Sequence, residues 1–289
     1  MKRFLLFLSV CAVVTVKAQT RGATAINFDG GEMNINSSDI SKQKQIGVAN
    51  MDILYDYKYI TDTTDNSKLK SDRMILQVGK NITKFYSYLS MKADSLISVA
   101  SAEEVLANVG KFKGGETFSV YTNYPHGKIT TIDKMGVDWF CVEEVQQKID
   151  WKLMEDIKDI LGYKCHKAQC FFRGRSWIVW YSEQIPVPVG PWKLHGLPGA
   201  ILEAVDSEGH YSFVMVGITA KFNKPIIIVD KKFNTTSVDK YYKTLRKFKS
   251  NPFAALQNSG INVKIMHPDG TPMNQSDLIK ELKYDFIER

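Results

Sequence analysis

After its first eighteen residues the sequence has no long hydrophobic run, and this absence excludes a later membrane-spanning helix. Apolar runs such as 225–229 are far shorter than the about 20 residues that a helix needs to cross a bilayer. Familiar catalytic signatures are also missing: there is no H-E-x-x-H, phosphate-binding loop, G-x-S-x-G elbow or dinucleotide-binding glycine pattern. The sequence therefore predicts neither a metalloprotease nor a nucleotide-binding enzyme nor a serine hydrolase of a known type.

The N-terminus has the pattern of a secretory signal peptide. Lys2 and Arg3 precede an apolar run over 4–16, and the small residue Ala18 comes just before Gln19. A charged start, a short apolar stretch and a small residue at the cleavage site are typical of export signals. We expect residues 1–18 to be removed, which places the mature protein in the periplasm or outside the cell with no integral membrane segment.

The charge balance gives no support to nucleic-acid binding. The formal net charge is +7, and loss of Lys2, Arg3 and Lys17 with the signal lowers it by three. The remaining basic residues are scattered, apart from a cluster at 243–249 that is typical of the solvated face of a helix. We therefore expect no nucleic acid among the partners.

Cysteine is scarce, and the mature chain keeps Cys141, Cys165 and Cys170. Five strand steps of about 3.3 Å would place Cys165 and Cys170 too far apart to bond to each other. A possible disulfide therefore joins Cys141 to Cys165 or to Cys170, and the alternative is three unpaired, buried thiols. Because no C-x-x-C spacing exists, we expect no metal and no other cofactor.

Strand patterns dominate the chain and predict a mainly β fold. Residues 51–59, 74–78 and 82–86 alternate as strands, and the last two form a hairpin around a Gly/Asn turn. Helices are predicted at 93–108 and, capped by Ser237, after 237. We expect a large curved antiparallel sheet or open barrel with a few, mostly C-terminal helices: a β domain over 19–230 and a helical extension over 231–289 packed on it.

The most distinctive segment, 165–213, is rich in aromatic residues, arginine and proline. Alternation places Phe171, Arg173, Arg175, Trp177, Val179 and Tyr181 on one strand face. Prolines at 186, 188, 191 and 198 then prevent a central strand and predict a stiff connection that delivers Trp192 to a fixed place. A tight turn at 196–199 leads into the next strand.

Two interpretations of this segment remain open. The first is a rigid corner that Trp192 pins against the sheet. The second is an exposed binding surface that could receive a peptide, a glycan or a lipid headgroup. Its candidate residues are Arg173, Arg175, Tyr181, Trp192 and His195.

The segment resembles the GLPGLI family, a group of uncharacterised secreted proteins of Bacteroidetes-type bacteria. The motif here is Gly196-Leu197-Pro198-Gly199-Ala200-Ile201, in which alanine replaces one leucine. The approach through 173–175, 180–181, 185–186 and 190–193 is also similar. The resemblance implies an exported protein of that lineage, but it implies no reaction, ligand or functional residue.

The sequence leaves three functional hypotheses. The first is a non-enzymatic binding or accessory protein of the cell envelope with an apolar, peptide or glycan ligand, and it requires a cleft of a few hundred Å3. The second is a hydrolase or thiol enzyme with an unrecognised site. The third is a structural subunit beside an outer-membrane protein partner. No catalytic residue is predicted, and His195 is the histidine most worth testing.

Overall fold

The computed structural model describes residues 13–14, 25–28, 43–60, 62–63, 69–99, 115–136, 138–250, 263–266, 271 and 284–289. At 13–14, 25–28, 96–99 and 263–266 it describes the backbone alone. Of the predicted export signal, residues 1–18, only Val13 and Val14 are described. The rest of the signal lies outside the described residues.

Strands form most of the described chain. They are β1 (Val13–Val14), β2 (Ala25–Phe28), β3 (Gln43–Tyr59), β4 (Lys70–Gly79), β5 (Thr83–Ser87), β6 (Ser119–Thr122), β7 (Lys128–Met135), β8 (Asp138–Val145), β9 (Lys152–Ile160), β10 (Tyr163–Phe172), β11 (Arg175–Ser182), β12 (Ala200–Asp206), β13 (Tyr211–Val229), β14 (Asn234–Thr235) and β15 (Val263–Met266). The helices are α1 (Tyr88–Val99) and α2 (Val238–Ser250).

Twelve of these strands form one sheet in the order β14-β8-β7-β6-β5-β4-β3-β13-β12-β11-β10-β9. All neighbours are antiparallel except β14 and β8, which are parallel. The long strands β3 and β13 pair along most of their length and join the two halves of the sheet. A smaller sheet contains β1, β2 and β15. The predicted fold class, a large and mainly antiparallel open sheet with few helices, is confirmed.

The largest cluster of buried residues packs against one face of the sheet, because most of the strands that form it are apolar on that face. On β3 the alternating residues Ile53, Tyr55, Tyr57 and Tyr59 are all buried, as the two-residue period of a strand requires. Rings from both halves of the sheet meet at Phe213 of β13, where the ring centroids of Phe85 and Trp177 lie 5.8 and 6.2 Å away. This convergence shows that the sheet is curved around its core.

A hairpin turn interrupts the strand that the sequence predicted across 171–181. Arg173 and Gly174 have φ values of 54° and 77°, and Phe172 pairs with Arg175 across the turn. After the turn Arg175, Trp177, Val179 and Tyr181 face the core, while Phe171 before it is 73% exposed. The predicted face therefore holds from Arg175 to Tyr181 but does not extend back to Phe171, because two consecutive left-handed residues reverse the chain direction between them.

The helices match the prediction in part. Ser237 accepts a hydrogen bond from the Lys240 amide, 3.4 Å away, so it caps α2 as expected. Tyr241 and Leu245 of α2 are buried against the sheet beside Phe286. Helix α1 begins at Tyr88 rather than at 93, and the rest of the predicted helix lies outside the described residues.

Cys141, Cys165 and Cys170 are free, buried thiols. Cys141 lies on β8 and the other two lie on β10, and eight strands separate β8 from β10 in the sheet order. The expected bridge from Cys141 to Cys165 or Cys170 required neighbouring strands, so the structure has the alternative arrangement. No helix in the described ranges is long and apolar enough to cross a membrane.

Candidate functional site

An open cleft of about 380 Å3 lies between the two halves of the sheet. Its volume is within the range of about 300 to 1,000 Å3 that is usual for small-ligand sites. One wall is the turn between β4 and β5 with the ends of β6 and β8, and the other wall is the connection from β11 to β12. The lining residues are Val78, Gly79, Lys80, Asn81, Ile82, Thr83, Thr122, Asn123, Gln146, Val187, Pro188, Val189, Gly190, Leu194 and His195. We call this site the amide cleft.

Hydrogen bonds made by amide groups hold the turns of the first wall together. Asn123 has a φ of 60°, a conformation that asparagine tolerates better than most residues. Its side-chain amide donates to the carbonyl oxygen of Asn81 at 2.6 Å, and its side-chain oxygen accepts from the Gly127 amide at 2.7 Å. The backbone amide of Gln146 donates to the Gly127 carbonyl at 2.9 Å. These bonds fix three adjacent turns and keep the cleft open.

The second wall is the proline-rich connection, residues 183–199. Its backbone is held by short-range bonds such as Val189 N to Val187 O and by Ile201 N to Val189 O, both 2.9 Å. A Cβ atom on Gly190 would lie 2.8 Å from both the Leu194 carbonyl oxygen and a methyl of Ile201. Only glycine fits at this point, so the wall is packed rigidly against the strand behind it.

His195 presents a ring nitrogen in this wall. Its Nδ1 lies 2.8 Å from the carbonyl oxygen of Lys193, and because a carbonyl can only accept, Nδ1 carries the hydrogen. In the neutral ring Nε2 is then an acceptor. The His195 carbonyl accepts from the indole nitrogen of Trp151 at 2.9 Å, which fixes the backbone of the residue. The half-buried ring is therefore held in place beside the cleft.

The GLPGAI motif behind this wall is part of the core. Leu197, Ala200 and Ile201 are at most 2% exposed. A Cβ atom on Gly199 would lie 2.0 Å from the Ser182 carbonyl oxygen, so two backbones approach each other where only glycine fits. The Tyr55 hydroxyl donates to the Ile201 carbonyl at 2.7 Å. These contacts match the rigid-corner interpretation of the motif.

The five residues proposed as a binding surface do not share one exposed face. Trp192 and Tyr181 are 3% and 4% exposed and Arg175 is 2% exposed, because the turn at 173–174 and the proline-rich connection direct them inward. Arg173 is half-buried in ion pairs. Only His195 lines the amide cleft.

A second, smaller cavity of about 60 Å3 lies beneath α2. Its lining includes five tyrosines, Trp192 and Asp133, together with Lys193, Phe286 and Ile287, and at about 30 Å3 per water it holds roughly two waters. The buried hydroxyl of Thr131 at its wall has no protein partner. Burial raises the pKa of Asp133 although Thr117 and Tyr241 donate hydrogen bonds to it. This space is suited to water rather than to a substrate.

A possible metal-binding group, Asp206, Glu208 and His210, places its ligand atoms within 4.8 Å of one another. Arginine side chains already neutralise both carboxylates, since Arg175 pairs with Asp206 at 2.7 Å and Arg289 pairs with Glu208. The group therefore functions as an ion-pair cluster and does not resemble a cation site.

The thiols are poorly suited to nucleophilic chemistry. Burial raises the pKa of Cys165 to about 11 and that of Cys170 to about 12, and it also raises the pKa of Cys141. A reactive cysteine needs a lowered pKa and access to solvent. The geometry therefore gives no support to the thiol-enzyme hypothesis.

Sequence reasoning missed the polar residues of the cleft. Asn81 was identified only as a turn residue, and Asn123 and Gln146 were assigned no role. The available signal was weak: each lies just beyond a strand end, where loops that carry binding residues begin. Which strand ends meet depends on the curvature of the sheet, and the sequence pattern does not give that curvature.

The chain is similar over part of its length to an N-glycanase N-terminal domain. The family model described as "N-glycanase peptide, N-terminal domain" matches residues 125–246. Two solved structures of PNGF-II are similar. The C2 crystal form is 15% identical with a TM-score of 0.46 over 70% of this chain and 33% of that chain. The P21 form is 14% identical with a TM-score of 0.45 over 68% and 33%.

The matched part of this chain spans about a third of the length of those structures. No curated protein matches the chain. The family match also corrects the GLPGLI assignment: the model that matches is the PNGase F-II N-terminal domain. The GLPGAI hexapeptide lies inside the matched range, and its packed corner accounts for the residue types without the GLPGLI family.

Proposed function

We propose that the chain is a non-enzymatic binding or accessory protein that holds a carbohydrate in the amide cleft. The observation that carries this proposal is the cleft itself, which is large enough for a small oligosaccharide and is lined by the polar residues Asn81, Asn123, Gln146, Thr83 and Thr122. Side-chain amides both donate and accept hydrogen bonds, and the hydroxyl and acetamide groups of a glycan do the same.

The composition of the cleft favours binding over cleavage. Glycoside hydrolysis generally uses a pair of carboxyl groups on either side of the bond, whereas the residues that line the amide cleft include no aspartate, glutamate or cysteine. The rigid walls also favour binding, because a preformed site loses little entropy when the ligand enters. The family match to an N-glycanase N-terminal domain supports a glycan over the peptide and apolar ligands, and it gives no support to an outer-membrane partner.

The test is a glycan-array screen of the purified protein followed by calorimetric titration of each bound oligosaccharide. Gln146→Ala and His195→Ala should each weaken binding roughly 2- to 10-fold, because each removes about one hydrogen bond from a preformed site. Asn234→Ala removes an exposed amide on β14, far from the cleft, and should leave the affinity unchanged. If no oligosaccharide binds, or if both cleft variants bind like the original protein, the proposal is wrong.

We also propose that the protein acts outside the cytoplasm. The pattern over 1–18 supports this location, as does a glycan ligand, because glycoproteins and polysaccharides are chiefly extracellular. Intact mass of protein recovered from its native host should correspond to a chain that begins near Gln19. A cytosolic product that still begins at Met1 would contradict this part of the proposal.

A further inference from the structure

Residues 284–289, which we call the docked segment, lie across the turn between β10 and β11 without becoming a strand of the large sheet. The main-chain bonds of the segment to the rest of the protein include the isolated bridge between Asp62 and Tyr284 and the bond from Arg289 N to Arg173 O, 3.1 Å. Most of the described contacts come instead from side chains that reach the segment across at least 70 positions of sequence. The segment is therefore bound in the way that a protein binds a peptide.

Arg175 is the central contact. It is almost fully buried, and its Nη2 donates to the Phe286 carbonyl at 2.6 Å and pairs with Asp285 at 2.7 Å, while its Nη1 pairs with Asp206 at 2.7 Å. The Tyr211 hydroxyl donates to the Asp285 carbonyl at 2.5 Å. One arginine therefore binds main-chain carbonyls and a carboxylate of the segment at the same time, and bonds of an ionised donor such as this one are stronger than neutral hydrogen bonds.

A second contact neutralises a buried positive charge. Without the docked segment, Arg173 and Lys193 would share the single carboxylate of Glu144. Glu288 supplies the second carboxylate, 2.7 Å from Lys193 and 3.2 Å from Arg173, and it also accepts from the Tyr242 hydroxyl at 3.1 Å. Because an unpaired buried charge is costly, this pocket requires an acidic group three positions after Asp285.

The apolar residues between these carboxylates fit the groove. Phe286 packs against Tyr242 at a centroid distance of 5.6 Å and lies under the Arg246 guanidinium at 5.0 Å. Ile287 joins the main core cluster. A Cβ atom on Gly174 would lie 2.6 Å from the Cβ of Arg289, so the glycine of the turn gives the segment room to approach.

We propose that this groove is a peptide-recognition site for an acidic, aromatic sequence of the form Asp-Phe-Ile-Glu, and that the docked segment is its occupant in cis. The site requires two carboxylates three residues apart with a large apolar pair between them. A peptide with this pattern competes for the groove whenever the docked segment is released.

The test uses the full chain with Asp285→Asn and Glu288→Gln, which weaken the docked segment without changing its shape. A fluorescent peptide with the sequence of residues 284–289 should bind this variant saturably, while the original protein, whose groove is filled, should bind it at least tenfold more weakly. A peptide with Asn and Gln at the two acidic positions should also bind the variant at least tenfold more weakly. The control variant, Glu155→Gln with Glu183→Gln, alters two exposed carboxylates and should behave like the original protein.

A folded double variant that does not bind the peptide would overturn the proposal, because the segment would then be a fixed part of the core. If the double variant does not fold, hydrogen exchange on the original protein decides the question. Amides of 284–289 should exchange by local opening, at least tenfold faster than those of the central strands. If the amides of 284–289 and those of the central strands both exchange at the rate of global unfolding, the proposal is also overturned.

Discussion

Single residues determine the geometry of the corner that supports the cleft. Gly199 and Gly190 lie where two backbones approach, and Asn123 lies where the chain needs a left-handed conformation. These residues support the site through their backbone geometry, whether or not their side chains touch a ligand. Their role is to keep the proline-rich connection at a fixed distance from the β4–β5 turn, so the effect of replacing them appears first in stability.

Replacing Gly199 with alanine should destabilise the protein by about 3 kcal/mol or more, because the new methyl group would overlap the Ser182 carbonyl and the backbone would have to move. Chemical denaturation measures this change. Gly217→Ala is the matched control: nothing lies within 4 Å of the added methyl, so we expect it to be neutral or slightly stabilising. Equal stability of the two variants would show that the corner is not tightly packed.

At the scale of elements, the strands could be predicted from the sequence. The turns between them, and the segments that pack together in space, could not. The two-residue period of 51–59 identified β3, and Ser237 identified the start of α2. The turn at 173–174 was missed because neighbouring Phe171 and Arg175 fit a strand pattern on either side of it. The docking of residues 284–289 could not be predicted from the sequence, because its partners, such as Arg175 and Lys193, lie about 100 positions away. Only the folded chain brings them together.

Docking of 284–289 should depend on pH through Asp285. Although burial alone would raise its pKa, hydrogen bonds from Arg289, Arg175 and His210 lower the pKa of Asp285 well below its usual value. A carboxyl with a lowered pKa in the fold stabilises the protein above the pKa of the unfolded chain, about 4, and this stabilisation is lost as the pH falls through the folded pKa.

Asp285→Asn should therefore cost about 3 kcal/mol of stability at pH 7, and the difference from the original protein should shrink as the pH falls below about 4. Urea unfolding at a series of pH values measures the difference directly. Asp230→Asn, an exposed position outside the ion-pair cluster, serves as the control and should show little difference at any pH. A cost for Asp285→Asn that does not vary with pH would mean that its charge has no stabilising role.

At the scale of the whole molecule, the fold class was predictable from composition and alternation, but the candidate site was predicted only in part. His195 was selected from its position beside Trp192, and it does line the amide cleft. Arg173 and Arg175 were predicted to bind a ligand. In the structure their side chains contact residues 284–289 of the same chain instead. The first wall of the amide cleft, which carries its polar residues, comes from the first half of the sheet. The curvature of the continuous sheet brings this wall opposite the proline-rich connection.

The most direct test of the carbohydrate-binding account is an amide-resolved NMR titration of the full chain with N-glycan oligosaccharides. Binding in the amide cleft predicts saturable shift changes concentrated at 79–83, 122–123, 146 and 187–195, with the edge strand β9 unaffected. A folded protein whose spectrum is unchanged by every oligosaccharide, or whose changes lie away from these residues, would contradict the account.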